Sequence, residues 1–412
     1  MDPSLACWFT PDLDYLYKGH MPEVRPFVGL LYDPATAGSV ATLVAPPYDV
    51  ISPADQDRFY RASPNNVIRL ILGRSKPGDD GSKNQYTRAA SYLRAWRAGG
   101  ILRATPEASV YPYEWTFRVE GRRRRVRGVV AEVGLEEWGG SIVPHERTFS
   151  GALEDRLRLI RAVRANLSPV YTIAPGPVAG MSEYLDAATD RPARAEFSDE
   201  SGTLHRLWVT SRHTERLSAA LAGQPLMIAD GHHRYSVALA YREEMRARFG
   251  PGPWDGMMML IVDAGTEDPP VLPIHRLASG LEAGLRIQAE RVRDMAEILA
   301  TVSDDALTYG VIRLEGSEVV HEVGRLRGRP PTVCALHEQI LDREKGLKLR
   351  FIPDAVAAEE AVLRGEAAVA LLLPATRVDR VWRVVRAGQK LPQKSTYFWP
   401  KPRTGMVLRP FE

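Results

Sequence analysis

One stretch limits the fold more than any other: Pro225-Leu226-Met227-Ile228-Ala229-Asp230-Gly231-His232-His233-Arg234-Tyr235. Leu226 to Ala229 is a short apolar run of the kind that forms a buried strand. Five polar or turn-forming residues follow at once. Val237, Ala238, Tyr241 and Met245 then recur at helical spacing, with Arg242, Glu243 and Glu244 facing away. A buried strand running through a tight turn into an amphipathic helix is a unit of a mixed α/β protein. Gly231 lets the backbone turn sharply and lets a ligand come close. The N–H groups at the helix start favour an anion, and His233 and Arg234 can add donors. Asp230 would repel that anion unless it holds a cation, orients a histidine or accepts a proton. The plainer alternative is a helix cap flanked by two surface histidines.

The rest of the chain narrows the classes. Its 412 residues suffice for two or three domains, and 44% hydrophobic with 25% charged residues is ordinary for a globular protein. A net charge of +3 argues for neither nucleic acid nor membrane as a partner. Cys7 and Cys334 are too few and too far apart for a disulfide framework or a zinc site. No apolar run reaches spanning length and the first residues lack a secretory pattern, so a cytoplasmic location is expected. The oligomeric state stays open.

From the N-terminus, Arg25–Leu31 and Asn65–Leu72 are expected as strands. Between them Pro46-Pro47-Tyr48-Asp49 forms an extended loop, and Ser52 caps a helix starting at Pro53. Tyr48 and Asp49 thus sit on a rigid loop, as candidate substrate contacts or as a structural turn. Tyr86–Ala98 is an amphipathic helix stopped by Gly99-Gly100. Ser109–Phe117 and Arg124–Leu135 pair around Glu120-Gly121, and the arginine run 122–125 is a solvated hairpin tip. Ala195–Val209 folds as two strands about residues 199–202. Met257–Val262 is a buried strand, and Leu281–Leu299 is expected to be helical. Farther on come a hairpin around Glu315-Gly316-Ser317, helices at Val333–Leu341, Ala355–Leu363 and Arg377–Ala387, and an apolar strand at Ala367–Leu373.

Three further stretches carry chemistry. In Pro144-His145-Glu146-Arg147-Thr148, His145 and Glu146 are plausible acid–base groups, although a structural ion pair of Glu146 would look identical. Ser150 can cap the next helix, on which Arg158, Arg161 and Arg164 form a basic stripe. Arg161 and Arg164 either line a polyphosphate pocket or lie on a solvated face. His275-Arg276 follows an extended piece. In the tail, Lys394, Ser395 and Thr396 offer one cation and two hydroxyls to a phosphate, without the glycine-rich loop of a P-loop.

Five segments in order resemble the family catalogued as domain of unknown function 1015. They are Ala45-Pro46-Pro47-Tyr48-Asp49-Val50-Ile51, Pro144-His145-Glu146-Arg147-Thr148, Ala229-Asp230-Gly231-His232-His233-Arg234-Tyr235, Leu272-Pro273-Ile274-His275-Arg276 and Pro392-Gln393-Lys394-Ser395-Thr396-Tyr397-Phe398. The Asp230–Arg234 box followed by a helix also resembles the phosphate-binding box of the ParB and sulfiredoxin superfamily. His232 stands where sulfiredoxins carry cysteine, and no helix-turn-helix domain of the DNA clamps is evident. The Asp-Gly-His-His-Arg form matches the free serine kinases of that superfamily, whose upstream glutamate acts as base; Glu146 is the candidate here.

The resemblance implies a ParB/sulfiredoxin-like core over residues 141–290, flanked by α/β segments at 1–140 and 291–412 that complete the pocket. It implies transfer of a phosphoryl group from a nucleotide, ATP or ADP, with Mg²⁺, to a small hydroxyl-bearing substrate such as serine. In that scheme Gly231, His233, Arg234, Arg161, Arg164, Lys394, Ser395 and Thr396 hold phosphate. Asp230, Glu146, His145 and His232 are catalytic, and Asp230 is also the Mg²⁺ ligand. Tyr48, Asp49, His275 and Arg276 contact substrate. The rivals are a slowly hydrolysing nucleotide switch and a metal-dependent hydrolase using His145, His232, His233 and His275.

Overall fold

The computed structural model describes residues 22–119, 121–146, 153–280, 287–344 and 346–412. The chain forms two compact units. One takes the described residues of Met1–Val143, Phe149–Pro269 and Pro400–Glu412, the other those of Pro144–Thr148 and Pro270–Trp399. This division differs from three consecutive segments, because the chain leaves the first unit near residue 269 and re-enters it at Pro400.

The first unit is built on a nine-stranded mixed sheet. In chain order its strands are β1 (Val24–Arg25), β2 (Tyr111–Val119), β3 (Arg122–Gly134), β4 (Ile142–Pro144), β5 (Val170–Ala174), β6 (Ala195–Ser198), β7 (Leu204–Leu207), β8 (Leu226–Asp230) and β9 (Gly256–Asp263). Their spatial order is β4-β8-β5-β9-β3-β2-β7-β6, with β1 on β3. The expected hairpin is the long antiparallel ladder of β2 on β3, from Val119↔Arg122 to Tyr111↔Val130. Every residue of β9 is buried, which is why it is a continuous apolar run with no alternation. It pairs in parallel with β5 and antiparallel with β3.

The helices of this unit include α1 (Pro53–Ala62), α2 (Gln85–Ala98), α3 (Leu153–Val163), α4 (Met181–Thr189), α5 (Thr214–Leu221) and α6 (His232–Phe249), of which α1 and α2 bury Phe59, Leu93 and Trp96 with Leu159 and Val163 of α3. Ser52 caps α1 as expected, accepting from Asp55 N while the Asp55 carboxylate accepts from Ser52 N. Asn84 caps α2 in the same reciprocal way. Ile160 of α3 packs with Val237 and Tyr241 of α6, Trp254 and Phe411, so the two helices share an apolar seam. The expected Asn65–Leu72 strand is instead a turn leading into a short helix, Ile68–Ile71. The cause is Asn66, whose side chain accepts from Ile68 N and donates to Thr42 O and Val44 O.

The second unit holds a six-stranded antiparallel sheet of β10 (His275–Ser279), β11 (Ala289–Val292), β12 (Thr308–Glu315), β13 (Glu318–Arg325), β14 (Lys348–Ile352) and β15 (Val369–Leu372), ordered β11-β13-β12-β15-β10-β14. Helices Met295–Thr301 and Ala355–Leu363 bury Ile298, Ala358, Ala361 and Val362 with Leu277, Ile312 and Leu372. The helix expected over Leu281–Leu299 is only partly present. Residues 281–286 lie outside the described residues, 289–292 pair as β11 with β13, and helix begins at Met295. Pairing along β13 overrides the local helical spacing there. Among the described residues no helix is long and apolar enough to cross a membrane.

Candidate functional site

The Asp230 turn is set by a break in strand register. Ile228 pairs with Thr172 but Asp230 with Tyr171, so one residue of β8 bulges out of the ladder. Such a bulge re-aims the side chain that follows it. Gly231 then takes φ +101°, and a Cβ there would stand 3.0 Å from the Arg234 guanidinium, which folds back over it. The glycine is therefore required twice, for the left-handed turn and for the arginine above it. Helix α6 starts without a side-chain cap, leaving its first N–H groups at the positive end of an 18-residue helix.

Two cations converge on the Asp230 carboxylate. Arg234 Nη2 donates to Oδ2 and Lys401 Nζ to Oδ1, each at 2.5 Å, and Lys401 Nζ also lies 3.7 Å from Asp49 Oδ2. All three partners of this core are largely shielded, with side-chain exposures of 10–12%. Arg234 Nη1 donates to Ser168 Oγ at 2.9 Å and to Pro169 O. Thr404 Oγ1 donates to the same Ser168 Oγ at 3.0 Å. Nearby, Arg156 lies 4.4 Å over the Tyr48 ring and donates to Ile71 O. Burial raises the Tyr48 phenol above its ordinary pKa, with Arg234 and Arg156 opposing and Asp49 and Asp230 adding to the rise. Arg156 Nε also donates to Asp155 Oδ2 at 2.6 Å, so the cations of Arg156, Arg234 and Lys401 are balanced by the carboxylates of Asp49, Asp155 and Asp230. His232 is buried, and the Nε2 of His233 is buried with no hydrogen-bond partner among the described residues.

The second unit gathers His145, Glu146, His275, Arg276 and the Lys394–Thr396 turn. Glu146 Oε2 accepts from Lys394 N at 3.1 Å, while Oε1 accepts from Ser395 N at 3.1 Å and from Thr396 N and Oγ1 at 3.3 Å. Lys394 has φ +53°, and successive N–H groups of such a turn make an anion-binding hollow. The Glu146 carboxylate occupies that hollow. On the carbonyl side, fully buried Arg276 donates to Lys394 O at 2.8 Å and Gln393 O at 3.3 Å. Burial pushes its guanidinium down to about 10, opposed by Glu146. His145 Nε2 stands 2.6 Å from Thr396 Oγ1. His275 Nδ1 accepts from Leu373 N at 3.1 Å, and burial, with Arg276 adding, pushes its pKa down to about 4. The Lys394, Ser395 and Thr396 amides thus face a carboxylate within the chain, and His275 and Arg276 face backbone.

The basic stripe on α3 is displaced from the turn. Arg161 is exposed and bound to Glu244, with Nε to Oε2 at 2.9 Å and Nη2 to Oε1 at 2.5 Å. Arg164 is exposed just past the helix end, at φ +51°, its carbonyl accepting from Phe411 N. The arginine of α3 that turns inward is Arg156, outside the every-third-residue pattern. Lys401, Ser168 and Thr404 were also not singled out by motif. The one signal for Lys401 was its place between Pro400 and Pro402, where an extended, stiff backbone presents a side chain at little entropic cost.

Among the described residues no three His, Cys, Asp or Glu side chains come together as a metal site. The four histidines of the hydrolase alternative divide between the units, His232 and His233 in one, His145 and His275 in the other.

Fold and site together define a mixed α/β protein with a carboxylate–cation cluster on a strand-to-helix turn. Residues 24–328 match the family described as "Protein of unknown function (DUF1015)", and the chain belongs to that family. No curated protein matches it. Similar solved structures include a free serine kinase in complex with AMP, 15% identical with a TM-score of 0.36, covering 65% of this chain and 89% of that one. A conserved hypothetical protein from Pyrococcus furiosus is 16% identical with a TM-score of 0.34, covering 63% and 90%. SbnI from Staphylococcus aureus, truncated at its C-terminus, is 12% identical with a TM-score of 0.34, covering 64% and 82%.

Proposed function

We propose that this protein is a nucleotide-dependent phosphotransferase acting on the hydroxyl of a small, serine-like molecule. The observation that carries the reading is the Asp230 carboxylate held between Arg234 and Lys401 at the start of an uncapped helix. Without ligand, Asp230 satisfies the two cations. A phosphate at the helix start competes for Lys401 and takes the first N–H groups of α6, which releases a carboxylate oxygen beside the transferring group. That oxygen can take the acceptor's proton. Arg234 stays tied to Ser168 and Pro169 and keeps Asp230 aimed. Transfer of this kind needs positioning and charge stabilisation more than covalent help from the protein.

Asp49 and Asp230 both lie within 4 Å of one cation, Lys401, and two carboxylates are a usual protein share of a Mg²⁺ site that phosphate oxygens complete. Mg²⁺ held there would supply charge neutralisation on the phosphates. Glu146 in this reading holds the Lys394–Thr396 turn by four hydrogen bonds instead of serving as the base.

The test is turnover of ATP with Mg²⁺ and a panel of serine-like acceptors, parent against Asp230→Asn. Nucleotide binding is expected to persist, and turnover to fall roughly 10²-fold or more, the scale for loss of a general base. Near-parental turnover in Asp230→Asn removes the catalytic role. Nucleotide binding with no turnover of any acceptor by the parent protein moves the reading to a nucleotide switch.

A further inference from the structure

Beside the Asp230 cluster, within the first unit, lies a cavity of about 70 Å³. Leu159, Ile160, Val163, Val237 and Met257 give it aliphatic walls, and Arg156 and Arg234 also line it. An engineered cavity of roughly 150 Å³ takes benzene, so this one takes a smaller group and excludes a nucleobase. Tyr48, Asn166, Ser168 and Thr404 add neutral polar groups to the lining. Asn166 is 4% exposed, and its Oδ1 accepts from Met258 N at 3.0 Å and Arg409 Nη1 at 3.2 Å. Those two donors fix the amide orientation and leave the Nδ2 group as the donor end. Among the described residues nothing accepts from that Nδ2. Ser168 Oγ already accepts from Arg234 and Thr404, so its own proton is left to donate. No aspartate or glutamate is among the described residues lining the cavity.

A small aliphatic space with donors left on Asn166 and Ser168 and no carboxylate on its wall selects for acceptor oxygens on a short carbon chain. A carboxylate has one acceptor oxygen for Asn166 Nδ2 and one for the Ser168 hydroxyl. Arg156 and Arg234 have their counter-charges in Asp155 and Asp230, and an ammonium group in the cavity would meet no carboxylate on its wall, which is costly. A sugar would set several hydroxyls against aliphatic walls. We infer that the cavity binds the carboxylate end of a short aliphatic hydroxy acid, and that the site discriminates against the corresponding amino acid. The inference rests on the phosphotransferase reading for what happens to the ligand's hydroxyl, not for its binding.

The matched probes are 3-hydroxypropionate and serine, which differ by the amino group. Calorimetry on the full chain without nucleotide is expected to show 3-hydroxypropionate binding at least tenfold more tightly than serine. Asn166→Asp keeps the oxygen that Met258 and Arg409 need and replaces the donor by a charge. It should weaken the hydroxy acid at least tenfold and narrow or invert the preference. Val237→Leu, which narrows the cavity without touching a polar group, should weaken both ligands, and it carries the test if Asn166→Asp does not fold. Equal or tighter serine binding by the parent protein overturns the inference. So does an unchanged hydroxy-acid affinity in a folded Asn166→Asp or Val237→Leu chain. Binding of 3-hydroxypropionate without any phosphoryl transfer leaves this inference standing and sinks the transferase reading. Phosphorylation of serine without 3-hydroxypropionate binding does the reverse.

Discussion

Pairing Lys401→Met with Asp230→Asn measures how strongly the two charges are coupled. Lys401 Nζ stands 2.5 Å from Asp230 Oδ1, with both side chains only 10–12% exposed. Unit charges about 4 Å apart at an effective dielectric near 20 attract by about 4 kcal/mol. Taking a strongly hydrated ammonium out of water offsets part of that. Arg234 on the other carboxylate oxygen also means that Asp230 is never left bare when Lys401 is removed. The net coupling should therefore be about 1.5–2.5 kcal/mol, above the ~1 kcal/mol ceiling of exposed pairs and within the range of shielded contacts. The assay is urea unfolding of the parent, both single variants and the double variant, followed by circular dichroism and tryptophan fluorescence. The coupling is the double variant's loss less the sum of the single losses. A coupling under about 0.5 kcal/mol would refute the reasoning, because the lysine would then be solvated and its segment held by packing alone.

Two further outcomes are expected. His275 has its pKa lowered to about 4 in the fold against the ordinary 6.5 of a histidine, so between those pH values the unfolded chain binds the extra proton. Its contribution is complete above about pH 6.5 and falls by about 3 kcal/mol as pH drops to about 4. His275→Gln retains an acceptor for Leu373 N and should flatten that part of the stability–pH curve; an equally steep fall in the variant would assign the loss elsewhere. Arg161→Ala breaks exposed pairs with Glu244 and Glu154, so stability should change by less than about 1 kcal/mol and nucleotide affinity should hold within a factor of two or three. A tenfold loss of affinity in calorimetry would return Arg161 to the site.

What could be read in advance was local. The strand, glycine turn and helix around Asp230 follow from a few adjacent residues, as do the Ser52 cap and the hairpin ladders, because each is set by its own hydrogen bonds and side-chain spacing. The failures came where a distant partner decides. Asn66 makes a turn of an apolar segment by reaching Thr42 and Val44. The spacing of arginines on α3 defines a face, but which face is covered depends on α2 and α6, so the stripe of Arg158, Arg161 and Arg164 pointed outward while Arg156 turned in. Glu146 has three backbone amides as partners, and a sequence pattern shows side chains only. Lys401 belongs to no local pattern, since it meets Asp230 only through the return of the chain.

That return sets an order of assembly. On a ribosome the Asp230 turn emerges first, the whole of Pro270–Trp399 next, and Lys401 only afterwards. Until residue 401 is made, Asp230 has Arg234 but lacks its ammonium, so the cluster cannot be complete in any nascent chain that stops within the second unit. The closing loop is long, and contacts of such sequence separation form late. Once home, the segment is bound like a separate peptide. Ala45 and Leu30 bridge to Thr404 and Leu408, Arg403 grips Asp199 at 2.6 Å, and Arg409 grips Glu132 at 2.6 Å. A protease nick within the second unit would therefore leave Lys401 on Asp230, held by non-covalent contacts after the covalent path between them is gone.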